Sequence, residues 1–179
     1  MTDRIRIKCT VAALLAALVC LSGWTFDGGQ LASAPLDKDC LPDGTYAVEV
    51  TMVKLNRRDL SMANDAVNHS VKLTVEGGAY SATVDFRGLK INNYFGYLGT
   101  LMYYGEGFVF DEFGLPQGET KEAEVLATQK DADGQEVVDA YNRDTGKPYP
   151  DILRFPLVRK AGFEDGDVPL RVFVPIMES

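Results

Sequence analysis

Short segments in which apolar and polar residues alternate, each closed by a Gly- or Asp-containing turn, decide what this chain can become. From Thr45 onward Tyr46, Val48, Val50 and Met52 fall on one face, and Thr45, Ala47, Glu49 and Thr51 on the other. A period of two is the mark of a strand buried on one side. Residues 57–66 (RRDLSMANDA) break the alternation and predict a short helical turn. Val71–Val75 resumes it, Glu76-Gly-Gly-Ala79 reads as a hairpin turn, and Tyr80–Phe86 as the returning strand. Further strands are expected at Ala123–Thr128, Ile152–Val158 and Leu170–Ile176. Val137, Val138 and Tyr141 share a helical face, so a helix is expected over Gly134–Tyr141. Short strands between such turns point to an all-β sandwich. No internal repeat or low-complexity tract interrupts the pattern.

The first 34 residues follow a different logic. Arg4, Arg6 and Lys8 precede an apolar run from Val11 to Leu21, and a small, weakly polar stretch continues to Ala34. That is the layout of a secretory signal. The run is too short to span a bilayer, which takes about 20 apolar residues. Residues 1–34 are therefore expected to be an export signal and 35–42 a polar lead-in, with the domain over 43–179 and a secreted or cell-surface location. Ala32-Ser33-Ala34 has the small-x-small form of a cleavage site, but Pro35 follows directly. Cys20 follows Val19 rather than the small residue that precedes a lipid-modified cysteine. Without residues 1–34 the chain keeps 15 basic and 24 acidic residues, a net charge of −9. A field of that sign repels a phosphate backbone, so nucleic acid is not an expected partner. Cys40 is then the lone cysteine, leaving no internal disulfide.

Residues 91–113 (INNYFGYLGTLMYYGEGFVFDEF) hold eight of the chain's 18 aromatic residues, together with Gly96, Gly99, Gly105 and Gly107. Two readings fit: a pair of core strands, since aromatic residues favour sheets, or an exposed platform for a flat or apolar ligand. Residues 106–139 contain ten acidic residues and two lysines, which reads as a solvated face or as a docking surface for a basic protein or Ca²⁺. Asp131-Ala-Asp133-Gly134 has the carboxylate spacing of a calcium loop, but Gln129 and Ala140 stand at the loop's first and twelfth positions. A turn is the better reading. His69 is the only histidine, so neither a catalytic triad nor a His-rich zinc site can be assembled. With acid–base groups other than carboxylates so scarce, no enzymatic activity is expected.

Several stretches in order resemble the NEAT (near-transporter) domain of Gram-positive surface proteins. They are Asp43-Gly-Thr-Tyr46 leading into a strand, Ser61-Met62 in a short helix, and Val71-Lys-Leu-Thr-Val-Glu-Gly-Gly-Ala-Tyr80 as a hairpin. Leu153-Arg-Phe-Pro-Leu157 and Leu170-Arg-Val-Phe-Val-Pro175 resemble the family's late strands. The resemblance covers roughly residues 43–86 and 148–176, and it implies an immunoglobulin-like β-sandwich with a short helix after the first strand; the Gly134–Tyr141 segment would be one further short helix. It also implies haem capture and a role in iron acquisition, the ring lying between the short helix and a hairpin of the last two strands. Ser61 matches the residue that hydrogen-bonds a propionate, and Met62 the one that packs on the porphyrin.

The family's iron ligand is a Tyr phenolate, a hard anionic donor suited to ferric iron. Aligning Val174-Pro175 with the family's Val-Pro places that Tyr at Ser179, and a Ser hydroxyl is a poor iron ligand. The domain is thus expected to lack the final strand, leaving Leu170–Ile176 as an unpaired edge, and any substitute ligand is sought among Tyr94, Tyr97, Tyr103, Tyr104 and His69. Two functions follow: a haem- or haemoprotein-binding module of the cell surface, or a module of the envelope that docks a protein or glycan through the aromatic insert or the open edge.

Overall fold

The computed structural model describes residues 2–8, 41–56, 58–91, 94–157 and 167–177; for Thr2–Lys8, Ile91 and Tyr94 the backbone alone is described. The apolar run Val11–Leu21, the cleavage zone, Cys20, Cys40 and Ser179 lie outside these residues. The fold is all-β, a β-sandwich of antiparallel strands. Its principal strands are β1 (Thr2–Lys8), β2 (Gly44–Lys54), β3 (Ser70–Glu76) and β4 (Ala79–Asp85). Residues 89–117 supply β5 (Leu89–Ile91), β6 (Tyr94–Gly96), β7 (Thr100–Tyr104), β8 (Val109–Phe110) and β9 (Pro116–Gln117). Then come β10 (Thr120–Glu122), β11 (Glu124–Thr128), β12 (Pro150–Leu157) and β13 (Asp167–Phe173).

One antiparallel ladder runs β10-β7-β13-β1-β2-β3-β4-β12-β11, and the short pairs β5-β6 and β8-β9 are separate. The ladder doubles back until Tyr103 of β7 lies over Phe155 of β12, ring centroids 6.1 Å apart and planes 21° from parallel. The space between the two layers is filled by Met52, Leu101, Leu153, Phe155 and Leu170, all with less than 2 % of their surface exposed. Each comes from the apolar set of an alternating strand. The β3–β4 turn is tight because Gly77 and Gly78 take φ of 56° and 78°, the left-handed pair that a two-residue hairpin requires.

Two expectations are corrected. Gly134–Tyr141 forms no helix: Asp131 Oδ1 accepts the Asp133 and Gln135 N–H groups at 2.9 and 2.8 Å, and Asp139 Oδ1 accepts that of Tyr141 at 2.8 Å. Val137 N–H donates to Gln129 O at 3.2 Å. With its amides drawn to Asp side chains and a neighbouring segment, the stretch has little left for an i→i−4 ladder. Among the described residues, the other short helical element is instead the 3-10 turn Pro175–Met177. The other correction concerns β13, which is no open edge. It pairs with β7 through Leu170–Phe173 and with β1 through Asp167–Arg171. The ladder's edges are β10 and β11, and β11 is irregular in register between Val125 and Thr128, a distortion that discourages edge-to-edge pairing.

The short helix expected within 57–66 is a 3-10 helix over Met62–Asp65. Ser61 caps it, its hydroxyl accepting Ala63 N–H at 3.2 Å. The helix hangs on one residue of β2: Met52 O accepts Ser61 N–H at 2.9 Å, and Met52 N–H donates to Asn64 Oδ1 at 2.9 Å. Replacing Asn64, 7 % exposed, by Ala leaves that buried amide without its partner. Asn64→Ala is expected to destabilise the domain by about 1–3 kcal/mol, read as a lower denaturant midpoint at unchanged slope.

Candidate functional site

Beneath the 3-10 helix lies a small apolar pocket enclosing about 40 Å³. Its roof is Ser61, Met62, Ala63 and Ala66; its back wall is Phe86, Arg87 and Leu89, where the chain leaves β4. Gly96, Tyr97 and Leu98, between β6 and β7, form one side, and Val172, Val174 and Met177, from the end of β13 and the turn after it, the other. Three segments distant in sequence thus meet under the helix. The enclosed volume is well below that of a drug-sized ligand site, but the walls are mostly apolar, as the walls of such sites are.

Close approach makes this possible. A Cβ on Gly99 would sit 2.9 Å from both Phe173 Cδ1 and Pro175 Cδ, and one on Gly96 would sit 2.9 Å from Ile176 Cγ2. Gly99 N–H donates to Phe173 O at 2.9 Å, fastening the Tyr97 side to the β13 side. Two of the four glycines in the aromatic stretch are therefore spacers that let two walls touch, whereas Gly107, at φ 83°, is a turn residue.

Of the residues singled out from sequence, Ser61, Met62 and Tyr97 converge on this pocket. Met62, 45 % exposed, forms the lip. The Ser61 hydroxyl accepts from Ala63 and keeps its own proton to donate. Tyr103 lies elsewhere: stacked on Phe155, it lines a separate groove with Tyr80 and Arg154. Tyr104 is buried against Phe108, ring centroids 5.8 Å apart. Tyr94 sits in β6 opposite Ile91. His69 places Nδ1 3.0 Å from Val50 O. Arg87, exposed at the rim, is anchored by Nε and Nη2, which donate to Asp65 O at 3.2 and 3.1 Å.

Tyr149 and Asp139 complete the Tyr97 side and carried no signal in the sequence. Tyr97 stacks on Tyr149 at 5.0 Å and 18°, and tilts against Phe95 at 5.1 Å. Tyr149 Oη donates to Asp139 Oδ1 at 2.7 Å. Burial, and then the negative charge of Asp139, push the Tyr97 phenol above its ordinary pKa. The Tyr149 phenol is pushed well up by burial, then by its hydrogen bond to Asp139 and that group's charge. Both hydroxyls are therefore held in the protonated form, the opposite of what a phenolate ligand needs. Among the described residues no cluster of three or more His, Cys, Asp or Glu is placed to hold a metal ion.

The aromatic stretch divides between the two readings made from sequence. Tyr104 and Phe108 are core residues, while Phe95, Phe110 and Phe113 are exposed, Phe113 to 79 %.

No family model matches the chain. Among solved structures, that of a point mutant of IsdX2-NEAT5 in complex with heme is similar at a TM-score of 0.43 and 15 % identity, over 75 % of this chain and 98 % of that one.

Raised phenol pKa values have a definite sign in stability. The folded state holds its protons more tightly than the unfolded chain, whose phenols titrate near 10.0. Below that pH the contribution is complete, and it is lost as the pH rises through the folded-state values. Alkaline unfolding is expected to begin above pH 10, and ultraviolet difference titration of Tyr149→Phe is expected to lack one late-ionising phenol.

Proposed function

We propose that this chain is an exported cell-surface binding module whose pocket takes a flat, largely apolar ligand with an anionic edge, haem being the ligand we favour. The observation that carries this reading is the convergence of Ser61, Met62 and Tyr97 on one apolar pocket with Arg87 at its rim. The apolar lining suits one face of a porphyrin laid across the mouth, the enclosed 40 Å³ being far smaller than the ring, and a carboxylate at the edge would meet the exposed Arg87 guanidinium. The donor set suits the iron less well. The pocket-lining Tyr97 is held protonated, and the remaining side chains with lone pairs at the walls include the thioethers of Met62 and Met177. Haem would therefore be held against the pocket mouth by one face and its edge, with Tyr97 as part of the apolar wall. A role in binding rather than catalysis agrees with the lone His69 and the apolar lining.

Haemin titration tests this. A saturable Soret change near one equivalent is expected, and no change at stoichiometric haemin would sink the reading. Tyr97→Phe should leave affinity nearly as it is. Met62→Asp, which sets a charge on the lip, should weaken binding by about tenfold, the equivalent of roughly 1.4 kcal/mol.

A second reading, docking of an envelope protein, is favoured by the β8–β9 hairpin. Asp111 accepts the Phe113 and Leu115 N–H groups at 3.0 and 2.8 Å, and so fixes a turn that carries Phe113 into solvent. Phe113→Ser would then abolish retention on cell-wall fractions and leave haemin binding untouched.

A further inference from the structure

Among the described residues, the strand β1 is the link between the two halves of the ladder: β2 reaches β13 through it. Thr2–Arg6 pairs with Asp167–Arg171 on one side, and Asp3–Lys8 with Glu49–Lys54 on the other. Yet this heptapeptide lies inside the segment that the sequence marks as a removable export signal. Taking it away leaves two facing rows of ladder groups separated by the width of one strand, which is a ready-made seat for an extended chain.

We propose that Thr2–Lys8 is an exchangeable placeholder, and that its seat between β2 and β13 accepts an extended, alternately aliphatic and basic segment of a second polypeptide once the N-terminal segment has left. The register defines the occupant. Ile5 stands opposite Met52 and Val168, and Ile7 opposite Val50, and all three of those partners are buried. Arg6 stands opposite Asp167, and Lys8 opposite Glu49. The seat thus calls for aliphatic residues at i and i+2 with cations between and after them. Arg4, Arg6 and Lys8 are the only basic residues among the first 34, and the chain without those residues has net charge −9. A partner strand of opposite charge is accordingly favoured, because opposite charges across a ladder attract and like charges repel. An empty seat would expose Met52, Val168 and Leu170, which are 0, 9 and 0 % exposed with β1 in place.

The covalent connection does not dictate which strand fills the seat. Residues 9–40, 32 in number, separate β1 from the next described residue, Leu41. Lys8 stands opposite Glu49, eight residues beyond Leu41, and at about 3.3–3.6 Å per residue a 32-residue chain can span several times that separation. The ladder bonds therefore hold β1 in position, and a segment supplied from outside can make the same bonds.

The inference rests on the reading of residues 1–34 as removable, but the experiment cuts the chain itself, so a failure of export and a failure of exchange remain separate results. A protease site is inserted between Gly28 and Gly29 of the full chain, whose melt before cutting must match that of the unmodified protein. After cutting, fluorescent peptide TDRIRIK is added and anisotropy followed. The expected result is saturable, one-to-one uptake by cut protein that unlabelled TDRIRIK reverses. Peptide carrying Ile5→Pro should not be taken up, because it lacks a ladder N–H and bends away from the strand. Peptide carrying Arg6→Glu and Lys8→Glu should bind at least about tenfold more weakly. No uptake, or uptake indifferent to the proline and the charges, overturns the proposal. So does a cut protein that sheds residues 2–8 with its melting midpoint unchanged, since β2 and β13 would then close on each other. Uptake confined to dimers of the cut chain would assign the seat to a second copy and overturn the partner strand.

Discussion

Everything at the pocket depends on how the 3-10 helix is fastened to Met52. That residue has no exposed surface, and both its backbone groups are given to the helix, the carbonyl to Ser61 and the amide to Asn64. A 3-10 helix of four residues has too few internal bonds to persist alone. Fixing it to a central strand converts a weak local element into a rigid roof. The continuation is equally tied: Arg87 N–H donates to Ala66 O at 2.9 Å, so the back wall is joined to the helix's own C-terminal end. Roof and back wall are therefore tied to each other, while Met62 and Met177, 45 % and 41 % exposed, form the open side of the pocket.

The strands were legible because their signal is local. Alternation from Tyr46 to Met52 and the Gly77-Gly78 pair each need only near neighbours to take effect, and both stand in the structure as read. The pocket was half legible. Ser61 and Met62 were found through a family resemblance, and Tyr97 as one of several tyrosines. What separates Tyr97 from Tyr103 and Tyr104 is tertiary. Tyr103 follows Leu101 on the inward face of β7 and is drawn onto Phe155, whereas Tyr97 lies before the strand, where Gly99 lets the chain close on Phe173. Tyr149 was invisible for the same reason, since its stack on Tyr97 joins residues 52 positions apart.

The failed helix at Gly134–Tyr141 shows a different limit. Its apolar spacing was sound as periodicity, but periodicity does not weigh the competition for amides. Asp131 and Asp139 offer their carboxylates to the amides two residues on, which is cheaper than nucleating a short helix on a surface. The outcome has a use: the turn that replaces the helix delivers Asp139 to Tyr149 at 2.7 Å, where it adds to burial in raising the phenols of the aromatic stack beside the pocket.

The strand β13 serves two regions with its two halves. Asp167–Arg171 faces β1, while Val172 lines the pocket and Val174 continues that wall. If the wall depended on β1, exchange of that strand would deform the ligand site. It does not depend on it: the pairing of β13 with β7 spans Leu170–Phe173, and the Gly99 N–H bond to Phe173 O extends it toward the pocket. The wall is braced from the β7 side, by contacts that include neither β1 nor β2. On β13, therefore, the strand seat and the pocket wall draw on opposite edges of one strand, while on β2 they share Met52, which stands opposite Ile5 and holds the roof.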